Sequence, residues 1–300
     1  MNKKSQKIKL IYLVGGGHSG STILSFLLGT SQEVLNVGEL KFYSEHRNPN
    51  EALNYMKNVC SCGTNAVECP FWREIDKEMD SNAKIFHYPT FFEWINILRI
   101  ILWPLPTQQK TLPKWDDIYL IQNIYSKIEH ENKKETYILD TSKSLARLVH
   151  LSRSDELDIK IIFLVRDIRG HVDSYQRAYG KGFFRWIIQW IINNSLILYF
   201  LKKEHLDYYH LSYDLFCKKP GETLAELGNY LDIRIPENYK DTIRNTEFHV
   251  RAGNPIKNTI KNFSGIRIDE RWKNNLSNSQ KWIIKKTVSK LNKLWVYDGE

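Results

Sequence analysis

The chain has 300 residues, 42% of them hydrophobic, the makeup of a globular protein with one large domain or two small ones. At that length it can bury about 75% of the surface its unfolded form exposes, which excludes wholesale disorder, a collagen-like fibre and a multi-span membrane protein. Its 43 Lys and Arg against 34 Asp and Glu leave a net charge of +9, pointing to an anionic partner such as nucleic acid, anionic lipid or a phosphate-bearing small molecule.

The first apolar run, Ile8–Val14, follows a basic head, but glycines stop it after seven residues. A buried strand entering a glycine loop explains it better than a signal peptide. Further short runs rich in Ile, Val, Leu and Tyr occupy Val34–Val37, Tyr137–Leu139, Ile161–Val165 and Tyr208–Leu211. Helical patterns lie at Ser21–Leu28, Trp115–Lys127, Ser144–Ser152, Arg169–Ala178, Arg185–Lys203 and Gly221–Leu231. Strand alternating with helix predicts an α/β protein, a P-loop-like three-layer sandwich with a central parallel sheet flanked by helices. Residues 50–115, rich in Pro, Cys and aromatics, break the pattern and read as an insertion over the sheet edge within a single domain of 1–300.

The apolar stretch from Trp186 to Leu201 contains Gln189, Asn193 and Asn194 and falls short of the roughly 20 residues a spanning helix needs. No transmembrane segment is expected; at most this helix makes peripheral membrane contact. Residues 251–300 hold 11 of the basic residues and 4 of the acidic ones. Lys281, Lys285, Lys286, Lys290 and Lys293 read as the solvated face of a last amphipathic helix, with Trp282, Val288 and Leu291 opposite.

The chemistry begins at Gly15-Gly16-Gly17-His18-Ser19-Gly20-Ser21-Thr22, between the first strand and the first helix. A strand, a glycine turn and a helix N-terminus together aim backbone N–H groups and the helix dipole at an anion. The spacing nearly matches the triphosphate loop G-x-x-x-x-G-K-[ST], but Ser21 stands where the lysine belongs. A second anion site follows the strand Ile161–Val165, where Arg166 opens Arg166-Asp167-Ile168-Arg169 and Ser174 comes two helical turns later. Alternatively, Arg166 and Arg169 pair with Asp167 or Asp173 in a structural network.

The loop ending Ser19-Gly20-Ser21-Thr22, the Gly38-Glu39 pair about twenty residues on, and Arg166-Asp167-x-Arg169 with Ser174 resemble the sulfotransferase family. Gly38-Glu39-Leu40, Cys60-Ser61-Cys62-Gly63 to Cys69-Pro70-Phe71-Trp72, Asp140-Thr141-Ser142-Lys143, Tyr213-Asp214-Leu215 and His249 to Pro255 resemble its bacterial branch, related to tyrosyl-protein and carbohydrate sulfotransferases. The resemblance implies transfer of a sulfuryl group from 3′-phosphoadenosine 5′-phosphosulfate (PAPS) to an acceptor hydroxyl, carbohydrate or lipid-linked, in the cytoplasm and without a metal. It assigns Gly17, His18, Ser19, Gly20, Ser21 and Thr22 to the phosphosulfate, Arg166 and Ser174 to the 3′-phosphate, and Glu39 to the base that takes the acceptor proton. A late loop beginning at Arg251, Gly253 and Asn254 is expected to close over the 3′-phosphate end, with Arg251 or Lys257 assisting. His18 departs from the family, which commonly has Arg or Lys there, and acts as a cation only when protonated. Lys143 is expected at the sulfuryl oxygens or the acceptor, or else as a solvated lysine beside a helix cap at Thr141 or Ser142.

Cys60, Cys62 and Cys69 suggest a disulfide or a buried thiol cluster. Zinc needs a fourth donor, for which His46 or His87 would be nearest in sequence. Trp186 and Trp190, four apart, belong to the core or else line an acceptor cleft. Two other functions fit less well. A small-molecule P-loop kinase would use Asp140 on its metal but lacks the lysine, and a nucleic-acid-binding module would need a recognition motif absent from this sequence.

Overall fold

The computed structural model describes residues 7–44, 59–80, 83–85, 98, 101, 115–130, 136–180 and 182–298. In chain order these form β1 (Ile8–Gly15), α1 (Ser21–Leu28), β2 (Val34–Gly38), α2 (Pro70–Glu78), α3 (Asp117–His130), β3 (Tyr137–Lys143), α4 (Leu145–Leu151), β4 (Leu157–Val165), α5 (Ile168–Tyr179) and α6 (Phe183–Lys203). They continue with β5 (Tyr208–Ser212), α7 (Tyr213–Lys218), α8 (Pro220–Leu231), α9 (Tyr239–Asn245), α10 (Trp272–Asn275), α11 (Asn278–Thr287) and α12 (Ser289–Asn292).

All strand pairs are parallel, in the order β2-β3-β1-β4-β5. β1 is central and buried on both faces, which is why it reads as an unbroken apolar run. Leu10, Tyr12 and Val14 join the layer containing α4, α5 and α6, whereas Ile11 and Leu13 join the layer of α1 and α8. This is the three-layer α/β sandwich that the sequence predicts. The chain leaves β1 for the β2 edge, returns through β3 and then crosses β1 to β4 and β5, so the sheet's carboxyl end forms a crevice beside β1, the usual ligand position in open α/β sheets.

Two strands differ from the sequence reading in extent. β4 starts earlier, at Leu157, and β3 continues beyond Leu139 through Asp140-Thr141-Ser142-Lys143. Those polar residues remain in the sheet because their groups are satisfied internally. Asp140 meets Arg147 Nε at 2.9 Å and accepts the Ser142 N–H at 2.9 Å, and Arg147 pairs in turn with buried Asp117 of α3. The last helical region differs too: it is broken into α11 and α12, and Val288 is buried as expected but Trp282 is 61% exposed, with Ile284 buried in its place. Lys285, Lys286, Lys290 and Lys293 are exposed as expected, while Lys281 is half-buried. Much of 50–115 lies outside the described residues, as do His46 and His87. Among the described residues no helix is long and apolar enough to cross a membrane.

Candidate active site

The glycine turn sits at the carboxyl end of β1. Gly20 caps α1 at φ 83°, and a Cβ there would stand 2.3 Å from the Tyr213 ring, so only glycine fits. No side chain caps α1, which leaves its first-turn N–H groups facing the crevice. Ser21 is buried and Thr22 half-buried at that turn. The Ser19 hydroxyl donates to the Gly16 carbonyl at 2.7 Å, bracing the loop, and Gly17 N–H donates to the Tyr175 hydroxyl at 3.1 Å.

His18 adopts φ 55° and packs edge-on against Tyr175 and Tyr179, its Nε2 3.4 Å from the Tyr179 hydroxyl. Burial, then Lys143, Arg166 and Arg177, lower its pKa. The imidazole is therefore held neutral at physiological pH, and the cations around the loop are these three neighbours.

Next to the loop, β2 and β3 both shift register at their carboxyl ends, and such bulges re-aim side chains. Gly38 has φ 75°, and a Cβ on it would lie 2.6 Å from Val250 Cγ1 and 2.7 Å from the Ala252 carbonyl oxygen. The turn delivers Glu39 to Lys143, itself at φ 59°, with Lys143 Nζ donating to Glu39 Oε1 at 2.6 Å. Lys41 lies 3.5 Å from the other carboxylate oxygen. Burial would raise the Glu39 pKa, but Lys143 and Lys41 outweigh it and hold the carboxylate below its ordinary range. Lys143 is thus neither solvated nor a cap partner; Ser144 caps α4 by accepting the Arg147 N–H. Asp140 is sealed by Arg147 and Ser142, which suits a strut better than a metal-binding kinase aspartate.

On the other side, Arg166 follows β4 and is 6% exposed. One of its terminal nitrogens donates to the His18 carbonyl at 2.7 Å and to Ser174 Oγ at 3.1 Å. Its other terminal nitrogen meets Asp269 Oδ2 at 3.1 Å, and its Nε is buried without a partner. Arg177, one helical turn after Ser174, donates to the same hydroxyl at 3.1 Å and reaches Asp269 at 3.5 Å. Arg271 holds that carboxylate too, at 2.7 Å, and these contacts push the Asp269 pKa far down. Arg169, by contrast, pairs with Asp167 at 2.6 Å, and Asp167 also accepts from Asn292 and Tyr297. Of the two arginines in the motif, one faces the site and one fastens the C-terminal segment.

The late loop touches the glycine turn through Asn254, whose N–H meets Thr22 Oγ1 at 3.4 Å, with Gly253 alongside. Arg251 is employed differently from the expectation. It is 2% exposed and donates to the Ala66 carbonyl and the Asp76 carboxylate, so it fixes the loop and turns away from the crevice. Lys257 is equally buried, donating to the Val59 carbonyl. Trp186 and Trp190 are buried, the latter donating to the Arg166 carbonyl at 3.0 Å, which makes them core and not cleft wall. Sequence reasoning missed Arg177, Lys41, Asp269 and Arg271. Only Arg177 carried a signal, its i+3 spacing from Ser174 on a helix. None of the four cysteines is in a disulfide, and among the described residues it is His249 that stands beside them.

No protein-family model matches the chain, and no curated protein matches it. Solved structures do. The sulfotransferase domain from the curacin biosynthetic pathway aligns over 94% of this chain and 98% of its own, at 19% identity and TM-score 0.50. The sulfotransferase domain of the Synechococcus PCC 7002 olefin synthase aligns over 99% and 96% at 14% identity and TM-score 0.44. A sulfotransferase from Mycobacterium tuberculosis H37Rv aligns over 81% and 72% at 14% identity and TM-score 0.45. The chain has the fold of the curacin-pathway sulfotransferase domain.

Proposed function

We propose that this protein transfers the sulfuryl group of PAPS to an acceptor hydroxyl by in-line displacement. The observation that carries the reading is the convergence of three guanidinium groups, from Arg166, Arg177 and Arg271, on the single Asp269 carboxylate beside the glycine turn. That is a seat for a compact dianion, next to a helix N-terminus suited to a second anion. A 3′-phosphate at one and a 5′-phosphosulfate at the other would match the pair, with the unpartnered Arg166 Nε supplying a further donor.

In this reading Lys143 leaves Glu39 for the sulfuryl oxygens when the donor arrives. Glu39, released from its ion pair, takes the acceptor proton as the acceptor oxygen forms its bond to sulfur. The bond from sulfur to the bridging phosphate oxygen breaks, and adenosine 3′,5′-bisphosphate leaves. Positioning and charge neutralisation do most of the work, as in phosphoryl transfer. The acceptor is a carbohydrate or a lipid-linked hydroxyl. Tyr179 beside His18 and Phe184 and Ile188 on α6 are more than half exposed, an apolar approach suited to the lipid-linked class. The reduced cysteines suit the cytoplasm.

The purified chain, given PAPS labelled in the sulfuryl group and fractions of lipid, sugar and peptide acceptors, should label one fraction and bind adenosine 3′,5′-bisphosphate by calorimetry. Failure to bind that nucleotide, or phosphate transfer from ATP, would overturn the reading.

A further inference from the structure

The three clustered cysteines are brought against a histidine 180 residues further on. The sulfurs of Cys60, Cys62 and Cys69 and a ring nitrogen of His249 all lie within 4.8 Å of one another. Cys62 Sγ stands 3.8 Å from Cys69 Sγ, and Cys69 Sγ stands 3.4 Å from His249 Nδ1. A tetrahedral zinc with Zn–S of about 2.3 Å and Zn–N of about 2.0–2.1 Å requires S···S edges of about 3.8 Å and S···N edges of about 3.6 Å. The S···S edge has that length and the S···N edge, at 3.4 Å, is slightly shorter. A disulfide would account for two of the three sulfurs and leave the third and the histidine without a purpose.

We propose that Cys60, Cys62, Cys69 and His249 form a closed structural zinc site that fastens residues 59–72 to the loop running past the glycine turn. Four protein donors fill a tetrahedron and leave no open position for substrate, so the metal is a fastener and not a catalyst.

The surroundings are those of a built site. Cys60 and Cys69 are fully buried, and the backbone N–H groups of Cys62 and Trp72 point at the sulfurs of Cys60 and Cys69, the way amides support metal thiolates. The His249 ring is held by stacking on Phe71, 5.4 Å between centroids and 7° from parallel, and its carbonyl accepts from Trp72 Nε1 at 2.6 Å. Its other ring nitrogen faces Glu247 at 4.0 Å. Three thiolates, a neutral imidazole and a divalent cation sum to −1. Lys257, 1% exposed, donates its ammonium to the carbonyl of Val59, the residue before Cys60, so a buried cation stands beside that charge.

The site also has something to hold. Ser61 N–H donates to the Val250 carbonyl at 3.0 Å, and its hydroxyl receives the Val250 N–H at 2.8 Å. Val250 and Ala252 in turn press on Gly38, the turn that delivers Glu39. A metal at the cysteines therefore sets the back wall of the Glu39 corner.

The full chain, purified without chelators, should contain about one zinc per molecule by mass spectrometry of the dissolved metal. Its three clustered thiols should react with Ellman's reagent only after the zinc is stripped. Growth on cobalt should give the intense visible bands of tetrahedral cobalt with a thiolate charge-transfer band. Cys69→Ser should lose the metal and Cys217→Ser keep it. If Cys69→Ser is insoluble, the wild-type metal count and cobalt spectrum decide alone. A substoichiometric zinc count with freely reactive thiols, or a disulfide among the three cysteines, overturns the proposal. None of these readouts depends on sulfuryl transfer.

Discussion

The two corners of the candidate site handle charge in opposite ways. Glu39 and Lys143 sit on consecutive bulged strand ends of the sheet, and their mutual charge is cancelled within fixed elements at 2.6 Å. Arg166, Ser174 and Arg177 also sit on rigid elements, but the carboxylate that the two arginines share belongs to the irregular stretch before α10, Arg177 having a second one, Asp173, at 3.1 Å on its own helix. The first corner carries its own counter-ion on the scaffold and needs substrate to separate the pair. The second borrows a counter-ion from a loop, and a ligand dianion can replace it without disturbing the sheet. The strand-borne corner is therefore built for turnover and the loop-borne one for affinity.

That division predicts separable losses. Glu39→Gln removes the proton acceptor but keeps the shape of the turn, so kcat should fall at least about 100-fold. Binding of adenosine 3′,5′-bisphosphate should not change. Near-wild-type turnover would remove Glu39 from the chemistry. Asp269→Asn acts on the other corner: with the competing carboxylate gone, the same nucleotide should bind about 10-fold tighter, close to 1.4 kcal/mol. Weaker binding in calorimetry would instead mean that Asp269 orients the arginines and does not occupy their seat, collapsing the contrast between the corners.

The regular half of this architecture is legible in the sequence because it obeys periodicity. The five apolar runs are the five strands, and the glycine turn and Arg166–Ser174 spacing are local patterns on one strand–helix junction each. The rest depends on contacts between distant segments. Asp140 to Lys143 look like a polar turn until Arg147 and Asp117 are seen to neutralise the aspartate inside the core. Arg251 looks like a phosphate ligand until Asp76 and Ala66 claim it. His249 could not be linked to the cysteines by spacing, since 180 residues separate it from Cys69 and only the packing of the late loop on residues 59–72 brings them together. Asp269 lies in a stretch with neither period nor motif, so its place among three arginines leaves no trace in the sequence.

The smallest expected effect distinguishes the corners by acid. His171 is 4% exposed beneath the anion corner, stacked on Tyr175 at 4.3 Å. Burial, then Arg166, pushes its pKa down to about 3, with His18 adding to the shift and a Gln189 hydrogen bond opposing it. His150, half-buried near Arg147, falls to about 4 through burial and then Arg147. Because these histidines cannot take up a proton in the folded state until well below 6.5, while the unfolded chain takes it up near 6.5, stability is lost as pH falls through 6.5 toward 3. Each site costs about 1.4 kcal/mol per pH unit in that window, or about 2–4 °C in Tm. His171→Phe keeps an aromatic ring against Tyr175 and should flatten the slope of Tm against pH, leaving the shares of His150 and of His18, whose pKa burial also lowers. Glu39, held below its ordinary range, stays ionised through most of the same window. Acid should therefore loosen the floor under Arg166 before it protonates the base, so that on titration downward nucleotide affinity falls ahead of any loss of Glu39's charge. An unchanged slope in His171→Phe would place the acid sensitivity elsewhere in the fold.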